Sequence, residues 1–304
     1  MKLTRLLPLL AVLISQQVFA EWNYQTVEGA GGVPLNVVTS GDPESPAILF
    51  IHGIGQSHYS FVRQLDSDLA DDFFLVSFDL RGHGASGKPW TEDAYNESER
   101  WAEDVAAVIA ATELDRPVVV AWSYGTLVAM DFVREFGIDG LAGINLTGAL
   151  GALRPFRMPT GEDPNAEKFA QLRKLQRSPD LADNIHASNE FTKWLTESPL
   201  PDREQQLFSA ISVMLPAYAR RGMMTRKIDN QDLEANLTLP LLLSLGEHDN
   251  PGQLIDGAEM AAAYHNVSLS EYKGSGHSVF FEDPDRFNAE LREFVSQAHS
   301  SIEF

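Results

Sequence analysis

Apolar positions along this chain follow two alternating patterns. Short, nearly continuous apolar runs occur at Ala47–Ile51, Phe73–Phe78, the valines after Pro117, Leu141–Leu146 and Leu239–Leu245. Runs of this length, bounded by Pro and Gly, read as strands buried on both faces, which is the pattern of a parallel sheet. Between them, apolar residues recur at helical spacing over about Tyr59–Leu69, Glu97–Thr112, Thr126–Arg134 and Leu254–Tyr264. Near the start, Tyr24–Glu28 and Val33–Thr39 flank the Gly29-Ala-Gly-Gly32 turn and predict a hairpin at the sheet edge, and a further strand is expected at Val267–Tyr272. Strand and helix thus alternate, which predicts an α/β fold. The expected architecture is a doubly wound, mostly parallel sheet with right-handed crossovers, whose sites form at the carboxyl ends of strands.

The alternation is interrupted after Leu146. Pro155, Pro159 and Pro164 lead into helical patterns at about Ala166–Leu175, Ala182–Leu195 and Glu204–Leu215, with no strand until Leu239. A block of helices inside an α/β order reads as an inserted lid. The expected division is a helical lid at 150–236 within a core built from 21–149 and 237–304. The lid is rich in aromatic and Met side chains, Phe156, Phe169, Trp194, Phe208 and Met223 among them, and Arg220 and Arg221 are its obvious anchoring charges. Trp194 and Phe208, together with Trp122 of the core, are candidates to line a substrate pocket.

Composition narrows the chemistry. A chain of 304 residues that is 44% hydrophobic can bury one large core plus an insertion. Its net charge of −20 argues against nucleic acid or an anionic membrane surface as a partner, since either needs clustered Lys and Arg. The absence of cysteine excludes disulfides, thiolate catalysis, Cys-based metal sites and a lipoprotein anchor. The first twenty residues have the order of a signal peptide: Lys2 and Arg5, then an apolar run from Leu6 to Ile14, then Val18-Phe19-Ala20. Cleavage is expected after Ala20, giving a periplasmic or secreted protein with no stable membrane anchor, because the apolar run is too short to span a bilayer. The sequence leaves the oligomeric state open.

Candidate chemistry gathers at predicted strand ends. After the Pro117 strand comes Ala121-Trp-Ser-Tyr-Gly125, with a helical pattern immediately behind it. A serine at so sharp a strand-to-helix turn, with small residues two positions to either side, fits a nucleophile elbow. His52-Gly53-Ile54-Gly55 follows the Ala47 strand and can bring backbone N–H groups close to a ligand oxygen. Asp79-Leu-Arg-Gly-His-Gly-Ala-Ser86 follows the next strand, and its His83, beside Asp79 and Arg81, reads as a hydrogen-bonded scaffold residue in preference to a catalytic base. Two later strand ends deliver Gly246-Glu-His-Asp249 and Gly274-Ser-Gly-His277. A serine is a poor nucleophile at neutral pH unless a histidine takes its proton and a carboxylate orients that histidine, so Ser123, Asp249 and His277 form a chemically complete set. Glu247 and Asp256 lie near enough in sequence to remain alternatives for the acid.

These motifs, with Gly276-His277 and the Phe281-Glu-Asp-Pro284 segment behind it, resemble the α/β-hydrolase superfamily in its lidded branch of esterases, cofactor-free haloperoxidases and carbon–carbon bond hydrolases. The resemblance extends over roughly residues 30–300, although the lid matches only in position and composition. It implies Ser123 as nucleophile, His277 as base and Asp249 as orienting acid, with the backbone N–H groups of Ile54 and Tyr124 as oxyanion hole. Dehalogenases and epoxide hydrolases of this plan carry aspartate at the elbow, and Ser123 argues against their chemistry. No cofactor or metal is implied, and the partner expected is a small-molecule substrate. The function expected is hydrolysis of a carboxylic ester of small to medium apolar groups through an acyl-enzyme. The alternatives are a lactone, thioester, amide or carbon–carbon bond, acyl transfer on the same triad, and a non-catalytic ligand-binding module.

Overall fold

A computed structural model of the chain describes residues 21–155 and 166–300. The expected signal peptide, Phe156, Pro159 and Pro164 lie outside the described residues. Eight strands form one sheet: β1 (Asn23–Gly29), β2 (Val33–Ser40), β3 (Ala47–Ile51), β4 (Phe74–Phe78), β5 (Val118–Trp122), β6 (Gly143–Thr147), β7 (Leu241–Gly246) and β8 (Val267–Tyr272), in spatial order β1-β2-β4-β3-β5-β6-β7-β8. The hairpin β1–β2 is antiparallel and occupies one edge, β2 meets β4 antiparallel, and every pairing from β4 through β3 to β8 is parallel.

Strand alternation sorts side chains to two cores. Leu49 and Ile51 of β3 face one apolar layer, and Ile48 and Phe50 face the other. The first layer is closed by α2 (Ser98–Ala111), α3 (Tyr124–Phe136) and α8 (Pro251–Ala263), through residues such as Trp101, Val128 and Met260. The second is closed by α1 (Val62–Leu65), α9 (Val279–Glu282) and α10 (Pro284–Ser300), through Leu65, Phe280 and Leu291. Helices on both faces explain why the central strands are apolar throughout.

Between β6 and β7 the chain forms α4 (Ala166–Leu175), α5 (Leu181–Thr192), α6 (Asp202–Met214) and α7 (Ala217–Met224). This segment docks on both cores: Leu215, Ala219 and Met223 join the first layer, and Leu195, Phe208 and Ile211 the second. Two local expectations need correction. The helix expected over Tyr59–Leu69 is a 3-10 turn at His58–Phe61, the single turn α1 and a second 3-10 turn at Asp68–Asp71. Ser57 caps the first turn, its hydroxyl accepting from the Tyr59 N–H, and Ser67 marks the break within the span, because its hydroxyl accepts from the Leu69 N–H and restarts the chain where an α-helix would have continued. Helix α7, in contrast, is not foreseen at all. It is only eight residues long, starts directly after Pro216, and buries Arg220 and Gly222 beside Ala219 and Met223, so its inward face is not marked by large apolar residues.

Candidate active site

Ser123 stands between β5 and α3 with φ 55° and ψ −117°. A non-glycine residue held there costs on the order of 1–3 kcal/mol, so the surrounding structure must impose it. The constraint comes from a close approach: a Cβ on Gly125 would lie 2.3 Å from the Ile51 carbonyl oxygen, so only glycine lets α3 start this near β3. Ala121, at the other small position, is fully buried between Ile51 and Leu146 on the neighbouring strands.

The structure brings Ser123, His277 and Asp249 together. Ser123 Oγ is 2.8 Å from His277 Nε2, and His277 Nδ1 is 2.8 Å from Asp249 Oδ2. A carboxylate can only accept, so the proton of neutral His277 sits on Nδ1 and Nε2 presents a lone pair to the serine hydroxyl. Burial opposes a charge on His277, but the Asp249 carboxylate, with Glu282 behind it, overrides this and raises the pKa above its usual value. Of the three candidate carboxylates, Asp249 is the one that contacts His277 Nδ1. Glu247 accepts from the Gly274 N–H, and Asp256 is buried within α8. Trp122 Nε1 donates to the His277 carbonyl at 2.8 Å, and Glu282 accepts from the Gly276 N–H at 2.9 Å, so the histidine loop is held on two sides.

The Gly53–Gln56 loop completes the surroundings of the serine. It is closed by a hydrogen bond from Gln56 N–H to the Gly53 carbonyl, and a Cβ on Gly53 would stand 3.0 Å from Ser123 Cβ. Ile54 therefore follows directly on the residue packed against the serine, and Tyr124 is the first residue of α3, where N–H groups have no partner within the helix. Among the described residues neither N–H finds a protein acceptor.

Of the three candidate lining residues, Trp122 and Phe208 border one small cavity with room for about one water, together with Leu195 and the polar Gln56, Ser60 and Ser278, and neither Ser123 nor His277 lines it. Trp194 does not line it. Its ring stacks on Phe169 of α4 at 5.5 Å, which makes it a packing residue of the helical segment. His83 donates from Nδ1 to the Arg81 carbonyl at 3.0 Å, and burial holds its pKa well below the usual value. It makes no bond to Ser123, in keeping with a scaffold role.

Several residues that organise the site are missed by sequence reasoning. Asp79 receives the N–H of His58 and of Ala85 and the side chains of His58 and Asn36, which fixes the loop next to the site. Arg81 forms a fully buried, two-pronged ion pair with Asp104. Arg226, after α7, pairs with Asp131 and donates to the Tyr124 hydroxyl at 2.7 Å, tying the helical segment to the elbow helix. Only the Asp79-x-Arg81 spacing carries a local signal. The partners of Arg226 are about a hundred residues away and none of them is marked in the sequence. Among the described residues no group of His, Asp and Glu could hold a metal ion, and no helix is long and apolar enough to cross a membrane.

Comparison with known proteins agrees with this architecture. The chain is similar to the AB hydrolase superfamily protein YisY of Bacillus subtilis strain 168, at 25% identity over 252 residues, covering 81% of this chain and 90% of that protein. Its structure resembles a protein of Burkholderia cenocepacia assigned as an aryl esterase, with a TM-score of 0.82 and 29% identity over 91% of this chain and 100% of the other. It also resembles the esterase RhEst1 from Rhodococcus sp. ECU1013, with a TM-score of 0.78 and 29% identity over 90% and 98% of the two chains. The model of the alpha/beta hydrolase family matches residues 48–290, most of the length, so the chain belongs to that family.

Proposed function

We propose that the protein is a serine hydrolase that cleaves carboxylic esters of small to medium, largely apolar groups through an acyl-enzyme. The observation that carries this reading is the continuous Ser123–His277–Asp249 chain, with 2.8 Å at both contacts. His277 Nε2 takes the proton of Ser123 Oγ as the oxygen bonds to the ester carbonyl carbon, and Asp249 stabilises the imidazolium that results. The carbonyl oxygen, now negative, lies at the N–H groups of Ile54 and Tyr124. As the tetrahedral species collapses, His277 returns its proton to the departing alkoxide. Water then attacks the acyl-enzyme with His277 again as base, releasing the acid and restoring Ser123. The choice of esters over other bonds is supported by the two esterase-like structures at 29% identity. Trp122 and Phe208 are proposed to contact the substrate, because Trp122 immediately precedes Ser123 and Phe208 borders the same small cavity as Trp122, although Ser123 itself does not line that cavity. The helices between β6 and β7 are proposed to act as its cover.

The test is a panel of chromogenic esters of increasing acyl length, run beside lactone, thioester and amide substrates on the wild type and Ser123→Ala. Ester turnover that disappears in Ser123→Ala is expected. Turnover surviving that change, or an amide or lactone preferred over every ester, refutes the reading.

A further inference from the structure

Arg220 lies on α7 and is 2% exposed. Its Nη2 donates to the Ser212 carbonyl at 2.7 Å and to Ser212 Oγ at 3.0 Å, whereas Nε and Nη1 find no partner among the described residues. The other fully buried guanidinium groups, Arg81 and Arg226, each face an aspartate. Arg220 has no such carboxylate among the described residues. Burial lowers its pKa only to about 10, so it is charged at neutral pH. An uncompensated charge in the interior is among the most costly features a fold can retain, which directs attention to what its counter-ion is.

The answer lies in what the guanidinium touches. Gly55 has φ +70°, and a Cβ there would stand 3.0 Å from Arg220 Nη2, 3.2 Å from Nη1 and 3.1 Å from Ser212 Oγ. The cation is thus packed directly on the loop that carries Ile54, and the other side of that loop, at Gly53, is packed on Ser123. Among the described residues the titratable groups nearby are neutral or already bonded. His83 is buried and neutral, and Asp79 is saturated by His58, Asn36 and Ala85.

We infer that Arg220 is a built-in counter-charge for the tetrahedral intermediate: a cation whose anion exists only while the carbonyl oxygen is negative. The inference rests on the esterase reading above. When Ser123 Oγ bonds to the carbonyl carbon, its proton moves to His277 Nε2 and the carbonyl π pair moves onto oxygen. That oxygen then faces the Ile54 loop, with the guanidinium behind it. Arg220 acts through the loop and through its field and does not touch the substrate, so it is a positioning residue. The ground-state ester is neutral and gains little from it. The effect therefore falls on kcat and leaves KM nearly unchanged.

The experiment compares wild type, Arg220→Met, Arg220→Lys and Ser123→Ala on one neutral chromogenic ester. Arg220→Met is expected to lower kcat by about 10- to 30-fold, which is about 1.4–2.0 kcal/mol, while KM changes little and Lys restores part of the loss. A second readout separates charge from packing. A trifluoromethyl ketone binds Ser123 as an oxyanion, and it should lose affinity for the Met variant by a similar factor, whereas the neutral methyl ketone of the same shape should not. Arg220→Gln, which can keep a bond to Ser212, takes the place of Met if that variant does not fold. An unchanged kcat in a folded neutral variant, equal losses for both ketones, or a rise in KM alone overturns the inference. Full turnover by Ser123→Ala would overturn the esterase reading itself, so the two failures are distinguishable.

Discussion

Replacing Asp249 with Asn keeps the shape of the acid and removes its charge. In the structure the carboxylate accepts from His277 Nδ1 at 2.8 Å, with both side chains about one-fifth exposed, 21% and 18%. A unit charge about 4 Å from the centre of the imidazolium is worth about 4 kcal/mol at an effective dielectric constant of 20, or close to three decades in rate. The amide adds a second fault: its NH₂ can donate to Nδ1, which moves the proton to Nε2 and leaves no lone pair for Ser123. Together these place the loss of kcat on the order of 10⁴. The pH profile supplies an independent check. His277 must be neutral to act as base, and its pKa is raised by Asp249 against the opposing effect of burial. In the wild type, kcat/KM for a neutral ester should therefore rise with pH through a midpoint above the ordinary histidine value. In Asp249→Asn burial acts unopposed except by Glu282, and the midpoint of the residual activity should move to lower pH. Stopped-flow or steady-state hydrolysis of a chromogenic ester between pH 5 and 9 measures both. Retention of activity within tenfold, an unmoved midpoint, or a larger loss in Glu247→Gln would show that another group orients His277.

Three further outcomes follow from the geometry. Phe208→Ala, at the cavity wall, should alter the ratio of kcat/KM between short and long acyl esters, whereas Trp194→Ala, stacked on Phe169, should lower the melting temperature and leave that ratio unchanged; kinetics and thermal melts on both variants decide this. Arg226→Met leaves Asp131 buried without its partner and frees the Tyr124 hydroxyl, so urea unfolding should show a loss of about 3–5 kcal/mol, a substantial part of it recovered when Asp131→Asn is added. For material recovered from outside the cytoplasm, intact-mass analysis should place the mature amino terminus at Glu21, and a species beginning at Met1 would contradict processing.

The sheet was largely readable because its strands are short, apolar and bounded by Pro or Gly. Ala47–Ile51 and Val267–Tyr272 coincide with β3 and β8, and most other boundaries fall within a residue or two. Ser123, Asp249 and His277 were readable for the same reason, since each follows a recognisable strand directly. A hydroxyl that accepts from the backbone two residues on, as Ser67 does, leaves no mark in hydrophobic periodicity, and so the pattern over Tyr59–Leu69 reads as one helix where the structure has three short turns. Arg226 is another kind of difficulty. Its meaning depends on Asp131 and Tyr124, which the fold brings to it from about a hundred residues away, and nothing in the neighbouring sequence distinguishes it from Arg221, which makes a half-exposed pair with Glu92. Arg220 is harder still, because its significance lies in the absence of a paired carboxylate among the described residues.

The position of β8 has a consequence for how activity is lost. It is the outermost strand on its side of the sheet, its middle residues are partly or fully exposed, and His277 follows its carboxyl end. Asp249 follows the carboxyl end of β7, the next strand inward. His277 and Asp249 are therefore carried by the margin of the sheet, while Ser123 sits beside its fully buried centre. Fraying of that margin separates His277 from Ser123 while the central strands and their helices remain folded, and such partial openings lie at lower free energy than global unfolding. If the margin opens first, Glu290 of α10, which accepts from Ser270 and Tyr272 of β8, is what resists it, and Glu290→Ala should shorten the half-life of activity on warming more than it lowers the temperature of global unfolding.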